Sequence, residues 1–178
     1  MATTIQVPGP SVIQFSLENS GTSWTTLGYS DNDNLPSVQF TDHSHEIKTS
    51  ISGALPEEIV LLGTEARIAC ALVKWDEEAF LELLAHVRDP ENGNALFATP
   101  GTRVVGTSDA GALFSLKLLG SDSSSWIFRN VWVPQDFVGD SQWGNRERVL
   151  TLAFRTIWYQ APEEAPTAPF EYSEGSKA

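Results

Sequence analysis

The sequence is short of the residues on which most protein chemistry depends. It has a single cysteine, Cys70, so no intramolecular disulfide can form and nothing ties the chain to an oxidising compartment. Histidine occurs three times. Basic residues are scarce: 11 Lys and Arg stand against 23 Asp and Glu, a formal net charge of −12. That argues against a nucleic-acid-binding surface, since phosphate contacts require clustered Lys and Arg, and acidity that simply keeps the protein soluble is an equally good reading of the charge. No apolar run approaches the ~20 residues of a membrane-spanning helix. The opening MATTIQVPGP has neither a basic nor an apolar leader segment, so neither a secretory signal nor a membrane anchor is expected. Gly-rich phosphate loops, G-x-S-x-G elbows and H-E-x-x-H helices are missing as well.

What the chain does have is aromatic and aliphatic bulk. It is 41% hydrophobic, with 6 Trp and 9 Phe in 178 residues. This supplies a sizeable core for a single domain. The stretch at 56–88 organises the reading. Ile68, Cys70 and Leu72 alternate with polar and small residues, as a half-buried strand does. The period then changes: Phe80, Leu83, Leu84 and Val87 follow i, i+3, i+4, i+7, one stripe of a helix. Asp76 is placed to cap that helix, Glu77 and Glu78 suit its positive end, and Asp89-Pro90 closes it. Cys70, among apolar neighbours, reads as a core thiol rather than a nucleophile.

Elsewhere the pattern is β. Ile13, Phe15 and Leu17 alternate, Asn19-Ser20-Gly21 turns, and residues 24–29 return. Val38, Phe40, Ile47 and Ile51 mark two strand segments around residues 42–46, a polar hairpin projecting at about 38–53 with little core of its own. Strands are expected at 103–105, 114–118, 126–133 and 147–159. In 126–133 the alternation puts Trp126, Phe128 and Trp132 on one face and Ile127, Val131 and Val133 on the other. In 147–159 it puts Leu150, Leu152, Phe154 and Trp158 on one face and Val149, Ala153 and Ile157 on the other. An outer face bearing Ile127, Val131, Val133, Val149 and Ile157 requires a cover: a neighbouring subunit, or the helix or loops of the same chain. The expected fold is mainly β, a β-sandwich or partial barrel with one flanking helix. The domain spans 11–160, with an N-terminal arm at 1–10 and a flexible acidic tail at 161–178.

Three groups could bear chemistry. His43-Ser44-His45 places two imidazoles at i, i+2, as in the metal site of a cupin-type barrel, but further ligands at the expected spacing are lacking. Asp31-Asn32-Asp33-Asn34 has the polar density of a calcium loop without its glycine and closing glutamate, so a solvated loop is expected. The pairs Glu57-Glu58, Glu77-Glu78 and Glu163-Glu164 are sequence neighbours, which seldom converge on one substrate. No catalytic residue, metal or cofactor is expected, and the chain reads as non-enzymatic.

The order of elements, with GTEARIACALVKWDEEAFLELL at 63–84 and ERVLTLAFRTIWY at 147–159, resembles tail tube proteins of tailed bacteriophages. In that family a strand opening with Leu-Gly (here Leu62-Gly63) precedes an Asp-led helix, and a last strand ends the domain. The resemblance covers about residues 11–160. It implies a helix-flanked sandwich or partial barrel, six copies to a ring and rings stacked into a virion tail tube. Such a subunit is made in the host cytoplasm, contacts other tail proteins, and lets the genome pass without specific binding. Related tubes occur in contractile injection systems. An acidic channel would give the −12 charge a use, since like charge keeps DNA off the wall. The resemblance makes the hairpin residues Asp42, His43, His45, Glu46 and Lys48, with the outward-facing Ile127, Val131, Val149 and Ile157, the expected assembly contacts. Two rival readings stand beside it: another virion ring or decoration protein (tail terminator, baseplate or capsid-decorating), and a cupin-like metalloenzyme using His43 and His45.

Overall fold

The structure is a computed structural model and describes residues 2–6, 9–18, 21–48, 58–88, 112–134, 149–156 and 170–174. The order is β1 (Ala2–Gln6), β2 (Val12–Ser16), β3 (Thr25–Tyr29), β4 (Ser37–Ile47), β5 (Glu58–Leu72), β6 (Lys74–Trp75), α1 (Glu77–Arg88), β7 (Phe114–Leu119), β8 (Ser125–Trp132), β9 (Leu150–Thr156) and β10 (Phe170–Ser173). The fold is therefore mainly β, with one helix among the described residues, as the alternation predicts.

The described strands form one ten-stranded antiparallel sheet in the order β1-β4-β5-β9-β8-β7-β2-β3-β6, with β10 beside β8. Strands β5 and β6 lie far apart on that path, yet only Val73 separates them in the chain. The same length of backbone thus pairs with β9 at one end and with β3 at the other, which curls the sheet onto itself. Backbone bonds stitch the seam: Val73 N–H donates to the Tyr29 carbonyl at 2.9 Å and Asp76 N–H to the Leu27 carbonyl at 3.0 Å. Gly28, opposite Trp75, makes the close approach possible. A Cβ at Gly28 would lie 2.5 Å from the Lys74 carbonyl oxygen and 3.1 Å from Trp75 Cα.

The alternating residues face inward. Ile13 and Phe15, Ile68, Cys70 and Leu72, Leu116 and Leu118, and Leu152 and Phe154 are buried in one core. Phe114 and Phe154 meet edge to face at 5.9 Å. The helix adds Ala79, Leu83 and Leu84 to this core, with Phe80 and Val87 half-buried against it. Asp76 caps it: Oδ1 accepts from Glu78 N–H at 3.0 Å and Ala79 N–H at 3.1 Å. Near the other end, His86 Nε2 donates to the Leu113 carbonyl at 3.1 Å, tying the helix to the start of β7.

Four expectations need correction. First, β8 does not alternate throughout. Phe114 pairs with Val131 and Leu116 with Phe128, so one residue of β7 faces two of β8. Asn130, at φ 53°, takes up the extra residue in a bulge. Val131 is therefore fully buried in the core rather than facing outward, Val133 packs against the core with it, and Trp132 is turned to the outer face. Second, the hairpin does not turn at 42–46. β4 runs unbroken to Ile47, and its partner is the first part of β5, from Glu58 to Ala69. Third, the N-terminal arm contributes a strand, since residues 2–6 pair with β4. Fourth, the acidic tail is not wholly free: Phe170–Ser173 pairs with β8. The strand expected at 103–105, Ile51, Ile157 and Trp158 lie outside the described residues.

Candidate functional site

The most distinctive surface is the outer half of the β4/β5 ribbon. Its root is part of the wall: Val38 is buried and paired with Ile68, and Phe40 pairs with Ala66. From Asp42 onward every described side chain of β4 is exposed. A ladder of this length carries the ribbon roughly 20 Å past Thr41. Gly63 lies at an irregularity between the His43 and Ser44 pairs, with φ 155°. There an extra residue on β5 sharpens the twist of the ribbon. Three apolar side chains near its end remain open to solvent: Ile59 at 61%, Val60 at 38% and Ile47 at 38% exposure. Val60 pairs with His45, and Ile59 with Glu46, so they occupy opposite faces. Among the described residues, no strand pairs with 42–47 on the side away from β5, nor with 58–65 on the side away from β4.

The polar side chains of the ribbon are ordered by one another. Thr64 Oγ1 donates to Asp42 Oδ1 at 2.7 Å across the ladder. Glu46 and Lys48 form an exposed ion pair at 3.1 Å. His43 Nε2 lies 3.3 Å from Glu65 Oε2, while Arg155 Nε donates to Glu65 Oε1 at 2.5 Å. The Arg155 guanidinium in turn lies 5.6 Å from the Trp132 ring. The chain His43–Glu65–Arg155–Trp132 thus crosses β4, β5, β9 and β8 on the outer face and braces the root of the ribbon. The bonded Arg155 holds the Glu65 carboxyl below its ordinary range, with His43 adding to the effect and partial burial opposing it.

The expected assembly residues do not form one site. Asp42, His43, His45, Glu46 and Lys48 share the ribbon. Ile127 is half-buried on the outer face of β8, opposite Lys117 and Glu171 in register. Val149, half-buried, stands just ahead of β9, and Val131 belongs to the interior. Glu65, Arg155 and Trp132 are participants that sequence reasoning missed. Glu65 and Arg155 are 90 residues apart, and no local pattern joins them.

Among the described residues no group of three His, Cys, Asp or Glu is placed to hold a metal ion. Asp31 Oδ1 accepts from Asp33 N–H, Asn34 N–H and Asn34 Nδ2, at 2.8–3.0 Å, so this carboxylate oxygen serves its own loop. Beside that loop lies an open groove of about 420 Å³, whose lining includes Asn34, Leu35, Ala69, Ala71 and Thr151. Burial pushes the Cys70 thiol up to about 12, which leaves it protonated and inert at neutral pH. No protein-family model matches this chain, and no curated protein does either.

Proposed function

We propose that the chain is a self-assembling structural subunit, a tail tube protein whose hexameric rings stack into an acidic-lined conduit for genome ejection. The observation that carries this reading is the ribbon. An isolated two-stranded hairpin is marginal in water, and this one keeps Ile47, Ile59 and Val60 exposed and both outer edges unpaired among the described residues. Open edges and exposed apolar side chains are what a neighbouring subunit covers. The brace through Glu65 holds the ribbon at a set angle to the wall, as stacking requires. The −12 charge supports a wall to which DNA does not adhere.

Negative-stain electron microscopy at rising protein concentration tests the proposal. Rings of uniform bore that stack into tubes are expected, and Ile59→Lys should abolish them while changing monomer stability by no more than ~0.5 kcal/mol. Rings that close without stacking would instead assign a terminator or single-ring protein. A monomer at every concentration would overturn self-assembly.

A further inference from the structure

The free edge of β8 is divided between two strands. β7 occupies its other edge from Ser125 to Val131, and among the described residues β9 takes only Val131 and Trp132. The gap left along residues 125–128 is filled by β10, with Phe170 opposite Phe128 and Ser173 opposite Ser125. The fit is specific at three levels. Phe170 packs between Phe40 of β4, at 4.9 Å, and Trp126 of β8, at 6.3 Å. Tyr172 meets Trp126 at 4.7 Å. On the opposite face Glu171 accepts from Arg129 at 2.6 Å, which fixes the register.

This strand is nevertheless the least embedded of the slot's walls. Only four residues long, it pairs among the described residues with β8 alone and leaves Tyr172 51% exposed. Residues 157–169 separate it from β9, a length that could span roughly 40 Å when extended. A strand of one copy and the same strand of another would make identical contacts in the slot, so exchange sacrifices none of them. Without an occupant, Phe40, Trp126 and a bare strand edge would face water.

We infer that the β8 edge at 125–128 is a docking slot for an aromatic–acidic–aromatic strand. A lone chain fills it with its own Phe170-Glu171-Tyr172, and an assembled chain receives that segment from a second copy. The exchange rests on the self-assembly reading for its second copy, while the slot itself does not. High local concentration in an assembly tips the balance from the chain's own strand to the neighbour's.

The test uses full-length chains carrying Ser125→Cys or Ser173→Cys, partners in register. Buried Cys70 stays silent. The two single variants are mixed at assembling concentration and treated with an oxidant or a short bis-maleimide. Any 125–173 link is then necessarily between chains. Several-fold more linked dimer is expected than from Ser173→Cys mixed with Leu81→Cys, a helix-surface control. In dilute solution the double variant should close on itself. Assemblies with no more 125–173 links than the control would overturn the exchange and leave the tube reading standing. Monomers at all concentrations would overturn both. A double variant that never closes would show that β10 does not occupy the slot at all.

Discussion

Arg155 on β9 and Glu65 on β5 share a 2.5 Å hydrogen bond across the outer face of the sheet, 90 residues apart in the chain. Glu65 is 23% exposed and Arg155 38%. The pair is therefore partly screened, and its contribution is of the order of 1 kcal/mol or less. Its importance is positional: it joins the last registered pairs of the wall to the first exposed pairs of the ribbon.

A pH dependence follows from this contact. The folded Glu65 carboxyl titrates below its unfolded value, so its stabilisation is fully present above the ordinary carboxylate pKa of about 4.3. It is lost as pH falls through the lowered folded value. Glu65→Gln should melt below the unaltered chain at pH 7, and the difference should shrink on acidification from about pH 4.5 to 3. Thermal melts across that range measure it. A constant difference at every pH would remove the carboxylate from the account.

Gly28 is where the curled sheet closes. With the Lys74 carbonyl 2.5 Å from where a Cβ would sit, Gly28→Ala must push β3 from β6 or distort both. A loss of ~1–3 kcal/mol is expected, the usual range for overpacking, read as a lower urea midpoint. An unchanged midpoint would mean that the seam yields freely.

Asn130 holds the bulge that turns Val131 inward. At φ 53° a β-branched residue is strained, whereas glycine is not. Asn130→Val should cost ~1–2 kcal/mol through backbone strain, a penalty that Asn130→Gly escapes, so the glycine variant should be the more stable of the two in chemical denaturation. Equal stability of the two variants would mean that the bulge relaxes away.

Much of the wall was legible from local pattern. Ile68-x-Cys70-x-Leu72 and Leu150-x-Leu152-x-Phe154 alternate and are buried as their period requires. The period change at Asp76 placed the helix and its cap, and both form. The projecting hairpin was visible as polar residues between apolar ones, but its return arm was misplaced. The polar residues 42–46 read as the tip, with Ile47 and Ile51 on the return arm, whereas β4 runs through them and its true partner is the long β5 from Glu58. The C-terminal strand was hidden by its acidic, proline-rich surroundings, although Phe170-Glu171-Tyr172 carries a period of two.

The sequence by itself determined most strands of the wall, where the one described helix starts and which side chains are apolar enough to be buried. These follow from side-chain periodicity and capping, which act over a few residues. Tertiary structure alone decided the rest. It set the direction in which Val131 and Trp132 point, the joining of β5 and β6 into a seam at Gly28, the pairing of Glu65 with Arg155, and the seat of Phe170 between Phe40 and Trp126. Each of these depends on where distant backbone segments meet. A bulge of one residue reverses every face beyond it, and an ion pair across 90 residues exists only once the sheet has closed.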